Sequence, residues 1–293
     1  MIVIVPGCEK SINDAGVTFK THIVTLRFMN STSPIGIFDS GIGGVSVLRA
    51  VRELLPGENV IYFGDSANLP YGEKSMEKIR ALSERVVKFL LENDCKLIVI
   101  ACNTASAAAL RYLRDKYTSV TFIGMEPAVK PAAEQTQSGV VGVIATTATF
   151  QGELFASVVE RFAQNVKVLH QPCPGLVQQI EAGKLDTPDT EKMLRGWLEP
   201  MMEQGIDALV LGCTHYPFVT PLLKKILGEN VRIIDPAPAV ARRVKYLLEQ
   251  QNLLNASNEK GETKLYTSGD AKTFAELLNV LIGETAEVIT KNI

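Results

Sequence analysis

Two cysteines stand in the same setting. Cys102 ends the apolar run of LIVIACNTAS (residues 97–106), and Cys213 ends that of ALVLGCTHYP (residues 208–217). Small polar residues follow each thiol: Asn103 and Thr104 in one case, Thr214 and His215 in the other. Cysteine often serves as a small buried hydrophobe, and Cys95 and Cys173 are read that way. The repeated pair is read differently. A strand end that leads into a helix offers free N–H groups and partial positive charge, which stabilise a thiolate. A free thiol titrates near ~8.5, so a modest downward shift gives substantial thiolate at neutral pH. Disulfide chemistry wants two sulfurs in contact, and a covalent nucleophile needs only one. Two opposed thiols suit a proton transfer in which one takes a proton from one face of a carbon and the other delivers to the opposite face. That inverts a stereocentre.

The elements that must hold these thiols alternate strand and helix from Ile35 onward. IGIF reads as a buried strand, DSGIGG as a turn, VSVLRAVRELLP as a helix and NVIYFGD as the next strand. A long amphipathic helix over EKSMEKIRALSERVVKFLLEND follows, then the strand KLIVIACNT, the helix ASAAALRYLRDKY and the strand VTFIGME. Continuous apolar strands separated by helices indicate a parallel sheet covered on both faces.

The pattern then recurs. GVVGVIATTATFQGELFASVVERF matches the opening strand, turn and helix; DALVLGCTHYPFVTPLLKKIL matches the cysteine segment; VRIIDPAPAV matches VTFIGMEPAV. Gly36 pairs with Gly142, Cys102 with Cys213 and Pro127 with Pro236, at offsets of 106, 111 and 109. The expected fold is therefore α/β, with two pseudo-symmetric parallel-sheet lobes. The active site lies in the cleft between them, beyond the carboxyl ends of the strands. Residues 34–128 with 238–293 form a discontinuous first lobe, whose last part reads as a helix, the strand TKLYTSGD and a helix. Residues 129–237 form the second lobe, and residues 1–33 an extension of unassigned role in which THIVTLRF has strand character. Met29 offers a second start, and the N-terminal residues do not read as a signal peptide.

Other residues have two readings each. In FDSGIGG, Gly41 and Gly43 occupy the first two positions of a dinucleotide fingerprint, but Ser46 stands at the third, so that reading is set aside. Asp39 has Ala145 as its counterpart and so breaks the symmetry. It either orients a substrate ammonium or modulates Cys102, with N-capping by Asp39 or Ser40 as the rival. GDSANLPYGEKS reads as a surface turn before a helix at Glu73, or as a Tyr71–Gly72 backbone that donates to a carboxylate. His215, one of three histidines, stands two residues from Cys213 as an acid/base modulator. A zinc site through Cys213 and His215 lacks a second closely spaced pair, except His170 and Cys173 in a different segment.

The 293 residues are 46% hydrophobic and 21% charged, a core-forming composition. A net charge of −2 gives no basic field for nucleic acid. No apolar run reaches the ~18 residues of a membrane span. Five cysteines without a CxxC pair favour a reducing cytoplasm over a disulfide framework.

GIFDSGIGG, PYGEKS, ACNTAS, GVIATTATF and LGCTHYP, in this order, resemble the cofactor-independent glutamate racemases of the wider aspartate/glutamate racemase group. The likeness runs from about Ile35 to the C-terminus. It implies that Cys102 and Cys213 are the catalytic thiols. Asp39, Ser40, Tyr71, Gly72, Asn103, Thr104, Thr214 and His215 match substrate-contact positions, and Thr146 and Thr149 join them. Glu181, in QQIEAGKL, matches a glutamate that assists the second cysteine together with His215. The likeness also implies D-glutamate supply for peptidoglycan in the bacterial cytoplasm by a homodimer, with no cofactor and no metal. Some relatives carry an N-terminal extension linked to control by a peptidoglycan precursor. The extension here has no such likeness, which leaves regulation open. The alternatives are a racemase of the same group acting on aspartate or a hydantoin, and a binding protein that uses the cleft without catalysis.

Overall fold

The computed structural model describes residues 10–13, 16–19 and 30–293. Strands β1 (Lys10–Asn13) and β2 (Gly16–Phe19) form a separate antiparallel pair. The strand expected over residues 21–28 lies outside the described residues. The first half of the body contains β3 (Ile35–Asp39), β4 (Val60–Gly64), β5 (Leu97–Ile100) and β6 (Phe122–Gly124). The second contains β7 (Val140–Ala145), β8 (Lys167–Pro172), β9 (Ala208–Gly212) and β10 (Arg232–Ile234). Strands β11 (Thr263–Thr267) and β12 (Val288–Thr290) close the chain.

All body strands pair in parallel, in two sheets. One has the order β12-β11-β4-β3-β5-β6 and the other β10-β9-β7-β8. The second order repeats the β6-β5-β3-β4 part of the first. The registers repeat as well. Gly36 stands opposite Ile98, and Ile98 opposite Phe122. In the other sheet Gly142 stands opposite Leu209, and Leu209 opposite Ile233. Cys102 lies four residues beyond Ile98, and Cys213 four beyond Leu209. Identical register therefore delivers the two thiols to equivalent strand ends.

The side-chain period of two splits each strand between two cores. Ile35, Ile37, Tyr62, Leu97 and Val99 face the helices Val45–Leu54 and Ala237–Gln250. Phe38, Ile61, Phe63, Ile98 and Ile100 face the helices Met76–Glu92 and Asn103–Lys116. In the second sheet Leu209 and Leu211 face the helices Pro188–Glu203 and Thr220–Leu227, while Val141, Val143 and Val210 face Glu153–Phe162. Burial on both faces is the reason these strands read as unbroken apolar runs.

The C-terminal strand β11 pairs with β4, so the chain returns to the first sheet after completing the second. The helix before it spans Ala237–Gln250, with a proline at its N-terminus. Strand β12 went unread because its three residues carry no period. The helix expected from Glu73 begins at Met76. Ser75 caps it by accepting from the Lys78 N–H at 3.3 Å, and residues Tyr71–Glu73 form a separate 3-10 turn.

Candidate active site

Both strand-end cysteines line one cleft. Ser40, Tyr71, Gly72, Asn103, Thr104, Thr146, Thr214 and His215 line it with them. Asp39, Thr149 and Glu181 are not on its wall. Asp39 is fully buried, and Glu181 reaches the site through His215. Thr147, Cys173 and Gln178 also line the cleft. Cys173 is thus both buried, as expected of it, and a wall residue. Its sequence context gave no sign of the second property, because Pro174 and Gly175 follow it where small polar residues follow Cys102 and Cys213.

The two thiols are held differently. Cys102 is itself the N-cap of the helix Asn103–Lys116, and its sulfur accepts from the Ala105 N–H at 3.4 Å. Its S–H reaches the Ser40 hydroxyl at 3.6 Å. Burial pushes the Cys102 thiol well up, and the neighbouring Asp39 carboxyl adds to that. The Ala105 N–H and Ser40 only partly offset both. The expected helix-terminus thiolate is therefore not the resting form of Cys102. The helix contact exists, but desolvation outweighs it.

Cys213 stands at 3.8 Å from Nδ1 of His215. The other ring nitrogen, Nε2, lies 2.7 Å from Oε1 of Glu181, which also accepts the Ile42 N–H at 3.0 Å. Burial alone would lower the His215 pKa, but the bonds to Cys213 and Glu181 and the charge of both raise it well above the ordinary imidazole range. Burial opposes ionisation of Glu181 too. His215 and the Ile42 N–H outweigh it and hold the carboxyl below its usual range. A protonated imidazole thus sits between the Glu181 carboxylate and the Cys213 sulfur.

Asp39 lies between the two arrangements. Its Oδ2 accepts from the N–H groups of Gly41 and Gly44 at 3.2 and 3.1 Å, and its Oδ1 accepts from the Thr214 hydroxyl at 3.4 Å. Burial raises its pKa, and the His215 charge is the largest opposing influence. The capping reading is not realised, since Gly44 is the N-cap of the helix Val45–Leu54 and no side chain caps it. The modulating reading has support, because the Asp39 carboxyl raises the Cys102 thiol. Asp39 ties the turn that opens the helix Val45–Leu54, and its charge acts on Cys102 and His215.

The glycines of that turn owe their place to contact, not to unusual dihedrals. A Cβ on Gly43 would lie 2.3 Å from Nδ1 of His215, and one on Gly41 would lie 2.3 Å from Oε1 of Glu181. The turn from the first sheet is bare where the His215–Glu181 pair of the second meets it.

Thr104, Thr146 and Thr149 form a hydroxyl cluster. Thr146 lies 2.8 Å from Thr104 and 2.9 Å from Thr149. The Asn103 amide is buried, and neither of its polar atoms has a partner. Buried amides rarely stay so, so Asn103 is a ready donor and acceptor for a bound molecule. Tyr71 turns its hydroxyl away to Asp65 at 2.6 Å, and Ser268 and Asn68 hold the same carboxylate. Asp65 is therefore a buried anchor for the Tyr71–Gly72 turn and not part of a surface turn.

Comparison with known proteins agrees with this geometry. The Asp/Glu/Hydantoin racemase family model matches residues 35–244. A glutamate racemase of Stutzerimonas stutzeri is 51% identical over 256 residues, covering 87% of this chain and 96% of its own. Among solved structures, a glutamate racemase isoform from Bacillus anthracis superposes with a TM-score of 0.83 at 32% identity, over 90% of this chain and 99% of its own. A glutamate racemase from Francisella tularensis, in complex with D-glutamate, gives 0.79 at 32% identity, over 90% and 98% of the two chains. Two sheets of matching order, a cysteine at the same end of each and this extent of similarity lead to one conclusion: the chain is a racemase belonging to the Asp/Glu/Hydantoin racemase family, on the side of its glutamate racemases.

Proposed function

We propose that this racemase interconverts L- and D-glutamate by two-base proton transfer between Cα and the thiols of Cys102 and Cys213. One observation carries the reading: register-equivalent cysteines from two sheets line a single cleft. In one direction His215 holds the proton of Cys213, and the resulting thiolate takes the proton from Cα. The Cα–H bond breaks, an S–H bond forms on Cys213, and the electron pair passes to the α-carboxylate. Cys102, resting as a thiol, gives its proton to the opposite face of Cα. Cys213 then holds a thiol and Cys102 a thiolate, the state that serves the other enantiomer.

The wall groups suit the ligand. Ser40, Asn103, Thr104, Thr146 and Thr214 are neutral donors for two carboxylates, and they can stabilise charge that develops during proton removal. Asp39 and Glu181 act from behind, on Cys102 and on His215. The D-glutamate bound by the Francisella relative supports the choice of substrate. The likeness to glutamate racemases further supports D-glutamate supply for peptidoglycan in the cytoplasm, by a homodimer. No helix among the described residues is long and apolar enough to cross a membrane.

The deciding experiment runs the reaction in D2O and follows Cα by NMR. Product formed early should carry deuterium while the remaining substrate keeps its proton. Retention of the original proton in the product, or faster turnover of aspartate or a hydantoin in a parallel panel, would overturn the assignment.

A further inference from the structure

We propose that Tyr62 is a positioning residue for the acid/base apparatus of Cys213, acting through the Gly41–Ile42 peptide from the opposite sheet. This rests on the two-thiol reading above. Tyr62 lies on β4, is fully buried, and took no part in any motif reading of the sequence. Its hydroxyl donates to the carbonyl oxygen of Gly41 at 2.8 Å. That carbonyl belongs to the same peptide group as the Ile42 N–H, which donates to Oε1 of Glu181 at 3.0 Å. A trans peptide is planar, and its C=O and N–H point in opposite directions. Holding the oxygen toward β4 therefore aims the N–H at the second lobe.

A continuous line of contacts follows: the Tyr62 hydroxyl, the Gly41–Ile42 peptide, Glu181, His215 at 2.7 Å and the Cys213 sulfur at 3.8 Å. The bond from Tyr62 and the bond to Glu181 polarise the peptide between them in a desolvated setting, so each strengthens the other. The turn has little freedom to find another arrangement. Gly41 and Gly44 both donate to Asp39, and a Cβ on Gly44 would already lie 3.0 Å from the Tyr62 oxygen. The ring is fixed separately by packing at 6.2 Å from Phe274, so the hydroxyl can be removed without moving its carrier.

The charged and titratable groups that face His215 are Glu181, Cys213 and Asp39. Without the Ile42 N–H the Glu181 carboxylate is no longer held in place against Nε2, and an imidazolium whose partner has moved away loses its proton at lower pH. The test is Tyr62→Phe, measured as kcat/KM against pH, beside Glu181→Gln and the double variant. Tyr62→Phe should fold and lower kcat/KM roughly three- to tenfold, the worth of one hydrogen bond. Its alkaline limb should move to lower pH. In the Glu181→Gln background the same change should cost nothing further. An unmoved alkaline limb, or a full additional loss in the double variant, overturns the proposal, since a merely structural hydroxyl gives that result. Failure of the two-thiol reading looks different: Cys213→Ser would then stay active, whatever Tyr62→Phe does.

Discussion

The turns that follow β3 and β7 occupy the same place in the two lobes and are built oppositely. The first is Asp39–Gly44, DSGIGG; the second, residues 145–150, is ATTATF. The offsets that align the lobes also align their contacts. Gly43 corresponds to Thr149, and His215 to Thr104. Gly43 lies under the His215 ring, where a Cβ would come within 2.3 Å of Nδ1. Thr149 lies 3.4 Å from Thr104, hydroxyl to hydroxyl. One seam is filled by a large ring over a bare backbone and the other by two small side chains. The total volume is shared out differently on an unchanged scaffold. The result is a titratable pair, His215 and Glu181, beside Cys213 and neutral hydroxyls nearer Cys102. Duplication explains the equivalent thiols, and divergence at the turns explains why their surroundings differ.

The most severe way to break the comparison is to remove either thiol. Cys102→Ser and Cys213→Ser should each lower kcat by roughly 10²–10⁴-fold, the span of a general acid/base contribution. Residual exchange of the Cα proton with solvent should survive for opposite enantiomers in the two variants, since each keeps one base. Exchange of both enantiomers at wild-type rate in either variant would refute the division of labour.

A smaller effect tests the seams. Gly43→Ala should displace the His215 ring and lower kcat roughly 10²-fold, because misplacement of about 1 Å is that costly. Thr149→Gly, the reverse exchange at the other seam, should leave His215 undisturbed and cost far less activity. Enantiomers have equal free energy, so kcat/KM must fall by the same factor in both directions. The inequality between lobes will appear in kcat and KM taken separately. Equal kcat losses from Gly43→Ala in both directions would argue against a helper confined to one side.

Much of this was legible in the sequence, and the limits are physical. Strands buried on both faces announce themselves as apolar runs, and a repeat with nearly constant offset exposes the equivalence of Cys102 and Cys213. What stayed hidden depends on contacts between lobes. Gly43 reads as a flexible turn residue, yet it is bare because an imidazole from residue 215 covers it. Tyr62 reads as one more strand residue. The thiolate expected at Cys102 followed from its place before a helix. The burial that reverses it depends on Asp39 and on packing that no local pattern encodes. Gln178 joins the wall where it donates to Glu73 from the other half of the chain at 3.0 Å, a contact that no local pattern encodes.

The pH response sharpens the contrast further. The His215 pKa is raised in the folded state, so its stabilising contacts are complete below the ordinary imidazole range and are lost as pH rises through the raised value. Glu181 is lowered, so its contribution is complete above the ordinary carboxylate range and is lost as pH falls through the lowered value. The pair is therefore most favourable between these limits. Glu181→Gln removes the charge and should shift the alkaline limb of kcat/KM down by roughly 1–3 pH units. Thr104→Val, at the position equivalent to His215, introduces no such shift. A Glu181→Gln profile that overlays the wild type would separate Glu181 from the chemistry.

The smallest effect is expected at the hydroxyl seam. Thr149 is buried and off the cleft wall, and its hydroxyl meets Thr146 at 2.9 Å and Thr104 at 3.4 Å. Thr149→Val keeps the shape and removes one polar partner. Thr104 and Thr146 still hold each other at 2.8 Å, so no hydroxyl is left wholly unpaired. The loss should be about 1 kcal/mol, the net worth of one hydrogen bond. In a chain of this size that is a fall of about 2 °C in Tm by calorimetry. Activity should change less than twofold, and the pH profile should not move, because nothing at this seam titrates. A shifted alkaline limb in Thr149→Val would mean that the two seams are coupled. The contrast between a titrating side and a neutral one would then have to be given up.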